Sequence, residues 1–349
     1  MPMVNDYHEV CDVYAEARER NVCLPCFCAE DMETIEALLM AAHEFGETIN
    51  VPNLPIIVSW TSRYPGRPQM RHITASGNVR LGVGMMFALL REFASPASPY
   101  RALRILPHLD HAFPWLDEDV LNDYIADFAS VMFDASEKPF EENVKLTARY
   151  VEKAKGLVVV EGAADEIFES GSTMKNSVTT VEQAARFVRE TGVNLIVPNL
   201  GTEHRATQDK VQYASDQAGK IRDAIGSIMV LHGTSSLKME DLGSLWKDGI
   251  IKANIYTALA KAGGQAVAHA VLQNLGNMFD ADGMRELNEA GMLGEYYRTE
   301  RYRQEVCLGK ISPKLDQLCS PPRRNAWTAA VKKEAQSFLR VFNYHRFAR

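Results

Sequence analysis

RILPHLDHAFP, residues 104–114, carries a short apolar run, Ile105-Leu106, into His108-Leu109-Asp110-His111. Three side chains able to bind a metal or move a proton arrive within four residues, where a strand is expected to end. Alternate side chains of a strand share a face, so His108 and Asp110 point one way and His111 the other unless the chain turns. Phe113-Pro114 predicts that turn, because proline cannot continue a central strand. A turn just after Asp110 brings His111 over the strand end, beside the carboxylate. Taken alone, the stretch also fits a solvated loop that happens to carry two histidines. What decides the fold is that the same unit, apolar strand then polar end then amphipathic helix, recurs on both sides of it.

Strands are predicted at Val22–Cys28, Pro55–Thr61, Arg104–Asp110, Ser130–Asp134, Leu157–Glu161, Leu195–Leu200, Ile228–His232 and Ile250–Tyr256. A helix at residues 6–20 precedes the first. Helices follow at Met32–Glu44, Leu81–Phe93, Leu116–Asp127, Phe140–Lys155, Thr180–Thr191 (capped by Thr179 or Thr180), Gln208–Ile225, Lys238–Lys247 and Ala258–Asn274. Short, continuously apolar strands are those of a parallel sheet buried on both faces. The alternation predicts an α/β fold, a (β/α)8 TIM barrel, with additional C-terminal helices. A doubly wound open sheet uses the same alternation, but there the polar candidates would gather near one switch point. Here they stand at the ends of many strands. After residue 280 the alternation stops, which divides the chain into a barrel domain, 1–280, and a C-terminal helical extension, 281–349.

The chain has 349 residues and a formal charge of −7, which argues against nucleic-acid and anionic-membrane partners. The N-terminus MPMVNDYHEV has no apolar run behind a basic start, and no apolar stretch is long enough to span a bilayer. A cytoplasmic location is expected. Six cysteines scattered over this length are no disulfide scaffold. Cys23, Cys26 and Cys28 (CLPCFC) lack a second CxxC and lie in an apolar run, so they are expected to be buried core.

In a barrel, the loops after the strands share one face and build the active site there. Those loops carry Asp110 and His111 after the third strand, Asp134 and Ser136 after the fourth, and Glu161 at the fifth. His204 follows the sixth, His232 the seventh, and Asn254 and Thr257 the eighth. Of nine histidines, His111, His204 and His232 fall just past nearby strands on this one face. Three imidazoles with an open fourth position make a catalytic Zn2+ site. Asp110 beside them can act as acid or base. Gly233-Thr234-Ser235-Ser236 opens a helix, and its backbone N–H groups can cradle a phosphate, aided by Asn254 and Thr257.

At these residues the chain resembles the class II, metal-dependent ketose-bisphosphate aldolases of fructose- and tagatose-bisphosphate type. The resemblance runs from about Val22 to Ala268. It rests on HLDH (108–111), SVMFDASEKPFEENVKLT (130–147), VVVEG (158–162), TTVEQAARFVRETGVN (179–194), NLGTEH (199–204), VLHGTSS (230–236) and GIIKANIYT (249–257). It implies that His111, His204 and His232 bind one catalytic Zn2+ per subunit and that Asp110 is the acid/base at the C4 hydroxyl. Asn254 would contact substrate beside the metal. Gly233, Ser235 and Thr257 would hold the phosphate of a dihydroxyacetone-phosphate moiety. Glu161 and Asp134 would support the metal site from behind. The implied reaction is reversible retro-aldol cleavage of a ketose (bis)phosphate or related sugar to dihydroxyacetone phosphate plus an aldehyde, through a zinc-stabilised enediolate. The family also implies a homodimer or homotetramer.

Several family positions differ. The end of the first strand reads Cys26-Phe27-Cys28 where the family has AFN. The second of two alternate glutamates is Ala163, with Glu161 kept. Arg205 replaces a glycine after His204 and could bind phosphate or carboxylate, or simply occlude the old site. The phosphate loop GGSG has become Gly233-Thr234-Ser235-Ser236. A basic loop, Arg63–Arg71, follows the second strand; Arg63, Arg67 and Arg71 could meet an anionic group, but a solvated loop is the simpler expectation. A substrate other than fructose 1,6-bisphosphate is therefore expected. The competing readings are a zinc-dependent barrel hydrolase or isomerase, an aldolase-like barrel acting on a non-phosphorylated substrate, and a non-enzymatic barrel.

Overall fold

The structure, a computed structural model, describes residues 3–166, 178–202, 213–295, 299–308, 310 and 321–348. Eight parallel strands close into a barrel in chain order: β1 (Leu24–Cys28), β2 (Pro55–Thr61), β3 (Arg104–Ala112), β4 (Ser130–Phe133), β5 (Val159–Ala163), β6 (Leu195–Val197), β7 (Met229–Leu231) and β8 (Ile250–Ile255). Apart from Arg104, every strand residue is buried, which is why these runs read as apolar without alternation. Helices connect successive strands, so the expected (β/α)8 barrel with C-terminal helices is the fold.

Short polar side chains set where the helices start. Asp31 accepts from the Thr34 amide at 2.7 Å and starts Met32–Ile49. Thr180, with Gln183, forms a capping box at the head of Val181–Thr191. Asn50, at φ 56°, ends the first of these in the left-handed conformation that asparagine tolerates.

The elements differ from expectation in a few places. Lys238–Lys247 is not one helix but a turn of helix, Met239–Leu242, and a 3-10 turn, Leu245–Asp248. Gly243 stands between the two, and a side chain there would meet the Val341 carbonyl, 3.2 Å from the Cβ position. Leu116–Asp127 shrinks to Glu118–Asp123, and β6 stops where Pro198 begins. β5 runs past Glu161 to Ala163, which places Glu161 inside the barrel and not at its rim. The loop after β2 contains a helical turn, Gln69–His72.

The chain forms two compact units, Met1–Ala258 with Lys332–Arg349, and Leu259–Val331. In the first, the C-terminal segment is tied to the barrel's outer layer. Lys332 and Gln336 both donate to the Glu44 carboxylate, at 2.7 and 2.9 Å, and the Tyr344 hydroxyl donates to the Pro55 carbonyl at 3.0 Å. Phe338 sets its ring edge-on to Phe27, 6.2 Å between centroids. The second unit has its own small core of Leu275, Met284, Leu293 and Tyr302. Within it Trp327 lies so close to Gly263 that a Cβ there would stand 2.6 Å from the indole. No helix among the described residues is long and apolar enough to cross a membrane.

Candidate metal and acid/base centre

The strand carrying HLDH does not simply end. His111 takes φ 45°, uncommon for a residue with a Cβ, and the pairing of β3 with β4 slips between Leu109 and Ala112. The expected turn is thus a bulge inside β3, and it aims Asp110 and His111 into one cavity. The chain leaves the sheet at Phe113-Pro114, as expected.

Asp110, His111 and His232 each offer a donor atom, and these atoms lie within 4.8 Å of one another, all buried. Hydrogen bonds assign each imidazole its tautomer. His111 donates from Nδ1 to Asp134 Oδ2 at 2.7 Å, because an ionised carboxylate can only accept, and this makes Nε2 the nitrogen that could meet a cation. Asp134 is in turn held by the Ser136 amide and hydroxyl, at 3.1 and 2.6 Å. His232 donates from Nε2 to Glu161 Oε1 at 3.3 Å, which leaves Nδ1. Carboxylates behind imidazoles in this way orient metal ligands and raise their basicity. Two oriented imidazoles are donors that suit a borderline cation such as zinc, with the Asp110 carboxylate standing beside them. Asp134 and Glu161 each accept from one of these imidazoles. His204 and Arg205 lie outside the described residues.

Behind this centre runs a fully buried polar network. Lys252 donates to Glu161 Oε2 at 2.7 Å, to Asn254 Oδ1 at 2.9 Å and to His108 Nε2 at 3.2 Å. His108 must then be the Nδ1–H tautomer, donating to Ser130 Oγ at 2.8 Å. The same bonds fix the Asn254 amide, whose Nδ2 donates to Asp110 Oδ1 at 2.9 Å. With all three protons engaged, Lys252 is no Schiff-base nucleophile. Desolvation works against its charge, but the surrounding Cys26, Glu161 and Tyr14 outweigh that and raise its pKa.

Burial pushes the Asp110 carboxyl up, but His111, His232 and Arg67 pull harder, holding it well below the usual carboxylate range. His108 falls to about 3, chiefly through burial and then the Lys252 charge, so it stays neutral. For Glu161, burial is overcome by Lys252 and the His232 hydrogen bond, which bring it to about 2.

The cavity, about 160 Å3, is lined by Asp110, His111, His232, Asn254 and the loop Gly233–Ser235. Thr257 also lines it. Gly233 takes φ 68°, a conformation glycine adopts freely, and Thr234 Oγ1 donates to the Asn254 carbonyl at 2.7 Å. The loop after β7 is therefore tied to the end of β8.

Two residues here were not expected. Arg67 is no solvated loop residue. Its side chain is 11 % exposed, its Nη2 donates to Asp110 Oδ2 at 2.7 Å, and its guanidinium lies over the Tyr256 ring at 4.3 Å. Tyr64 stacks on His111 with centroids 4.5 Å apart. Nothing in the sequence marks which residues of an irregular loop turn inward. Arg63 turns the other way, onto Asp119 at 2.7 and 2.9 Å, and Arg71 is exposed. Cys23, Cys26 and Cys28 are buried, as expected, and Cys28 also lines the cavity.

Comparison with known proteins places these features in a family. The family model described as "Fructose-bisphosphate aldolase class-II" matches residues 8–312. A "Probable fructose-bisphosphate aldolase" from Bacillus subtilis (strain 168) is 26% identical over 265 residues, 74% of this chain and 82% of that protein. The "Uncharacterized protein YdjI" of Escherichia coli (strain K12) is 25% identical over 257 residues, 72% and 83% of the two chains. Among solved structures, fructose-bisphosphate aldolase from Campylobacter jejuni superposes with TM-score 0.72 at 18% identity, covering 98% of this chain and 95% of that one. The YdjI aldolase from Escherichia coli K12 gives 0.61 at 21%, covering 96% and 97%. The barrel, the paired HLDH bulge and the match over most of the chain make this protein a distant member of the class II fructose-bisphosphate aldolase family, and hence a carbon–carbon lyase.

Proposed function

We propose that this chain is a zinc-dependent aldolase that cleaves a ketose phosphate, or a related ketose, to dihydroxyacetone phosphate and an aldehyde. The observation that carries the reading is one buried cluster in which Asp110 stands beside two imidazoles of fixed tautomer, His111 and His232. His204 is proposed to complete the ligand set. A zinc ion, when bound, supplies Lewis-acid stabilisation of the negative charge that develops on the ketose oxygens.

The chain's own groups do the rest. Asp110 takes the proton of the C4 hydroxyl as the C3–C4 bond breaks, and returns it in the condensation direction; the electron pair of the broken bond stays on C3 as the enediolate, which then takes up a proton from solvent to give dihydroxyacetone phosphate. Its carboxylate is ionised at rest, as a base must be. Asn254, oriented by Lys252, presents its amide to Asp110 and the substrate oxygens together. Amides of Gly233–Ser235, with Thr257, receive the phosphate; Arg205 is proposed to assist. The enzyme is proposed to act in the cytoplasm as a homodimer or homotetramer.

The test is a screen for retro-aldol products over phosphorylated and free ketoses, with and without a chelator. Chelator-sensitive release of a triose is expected. Water addition without carbon–carbon cleavage would instead indicate a barrel hydrolase and overturn the reading.

A further inference from the structure

We propose that Arg67 is a positioning residue that keeps Asp110 off the metal, so that this carboxylate remains an acid/base and does not become a ligand. The inference rests on the metal site proposed above. Asp110 offers its oxygen within 4.8 Å of the donor atoms of His111 and His232. A carboxylate so close to a divalent cation is an obvious ligand. What restrains it is that both oxygens are already held: Oδ1 by the Asn254 amide at 2.9 Å, Oδ2 by the Arg67 guanidinium at 2.7 Å. The second hold is charge-assisted, hence the stronger of the two.

Arg67 is itself anchored to the sheet. Its carbonyl accepts from the Thr61 hydroxyl and from the Gln69 amide, and Gln69 Oε1 accepts from the Thr61 amide at 2.8 Å. Thr61 is the residue that pairs with Asp110 across β2 and β3. The arginine and the carboxylate it grips are thus referenced to the same rung of the barrel. At the other end, Tyr256 carries the guanidinium on its ring face and donates its hydroxyl to Glu30 at 2.6 Å. Cys28 adds a weak hold, its thiol donating to Asp110 Oδ2 at 3.6 Å.

The test uses the full-length protein loaded with cobalt(II), whose visible absorption is strong in four-coordinate sites and weak at higher coordination number. Arg67→Met is expected to weaken that absorption, because the released carboxylate joins the metal. The variant should hold cobalt against a chelator at least as well as the unmodified protein, while kcat for fructose 1,6-bisphosphate cleavage falls about 100-fold. Arg67→Met combined with Asp110→Asn should restore the original spectrum, which a merely structural role for Arg67 would not bring about. Should Arg67→Met fail to fold, Arg67→Lys keeps the charge and should shift the spectrum in the same direction by less. An unchanged spectrum in a folded variant, or weaker cobalt retention, would overturn the inference. A protein that takes up no cobalt before any substitution overturns the metal reading itself. If fructose 1,6-bisphosphate is not cleaved, the spectrum and the chelator competition decide.

Discussion

Asp110 and His232 separate chemistry from metal binding. Replacing Asp110 with Asn should keep the metal and lower the cleavage rate by about 10²–10⁴-fold, the usual contribution of a placed acid/base. Replacing His232 with Ala should lose metal and activity together; metal analysis beside steady-state kinetics checks both. If Asp110→Asn cleaves at the original rate, the acid/base assignment fails. HLDH was legible because two imidazoles and a carboxylate at a strand end are rare, and His111 and Asp110 indeed share one cavity. Arg67 and Tyr64 were not legible. A loop rich in Pro and Gly has no period, so nothing in it distinguishes an inward arginine from an outward one. Lys252 lies two residues before Asn254 on β8, and that spacing alone puts both on one face.

At the scale of elements, the strands were read well because burial on both faces leaves an unbroken apolar signature. The split of Lys238–Lys247 was not, since the close approach of Val341 that leaves no room for a side chain at Gly243 is a long-range contact, invisible to a local pattern. The division drawn at residue 280 marks where the βα alternation stops; packing groups residues by contact, and the two criteria need not coincide. The interior strands β5 and β8 also carry an expectation. Glu161 and Lys252 are both fully buried and 2.7 Å apart. Lys252→Met would strand the Glu161 carboxylate and free the Asn254 amide to rotate. It should cost about 3–5 kcal/mol of stability, measured by urea unfolding of the metal-free protein. A loss near zero would mean that water already enters this network.

For the whole molecule, the buried network sets an acid limit. His108 sits at about 3 in the folded protein against an ordinary 6.5, so as pH falls the unfolded chain takes up its proton first. Its contribution is complete above pH 6.5 and is lost as pH drops from there toward 3. His232, which burial also holds below its ordinary value, adds to the loss below pH 6.5, and Glu161, at about 2 against 4.5, adds a further loss below pH 4.5. Between pH 6.5 and 4.5 the metal-free protein should therefore lose up to about 1.4 kcal/mol per pH unit for the His108 proton. Urea midpoints across that range check this, and His108→Gln should flatten the slope. The convergence of separate loops on one cation is tested most directly by crystals grown with zinc and measured at the zinc absorption edge. One anomalous peak is expected about 2.0–2.1 Å from both His111 Nε2 and His232 Nδ1. Zinc found elsewhere, or absent from this cluster at saturating concentration, would contradict it.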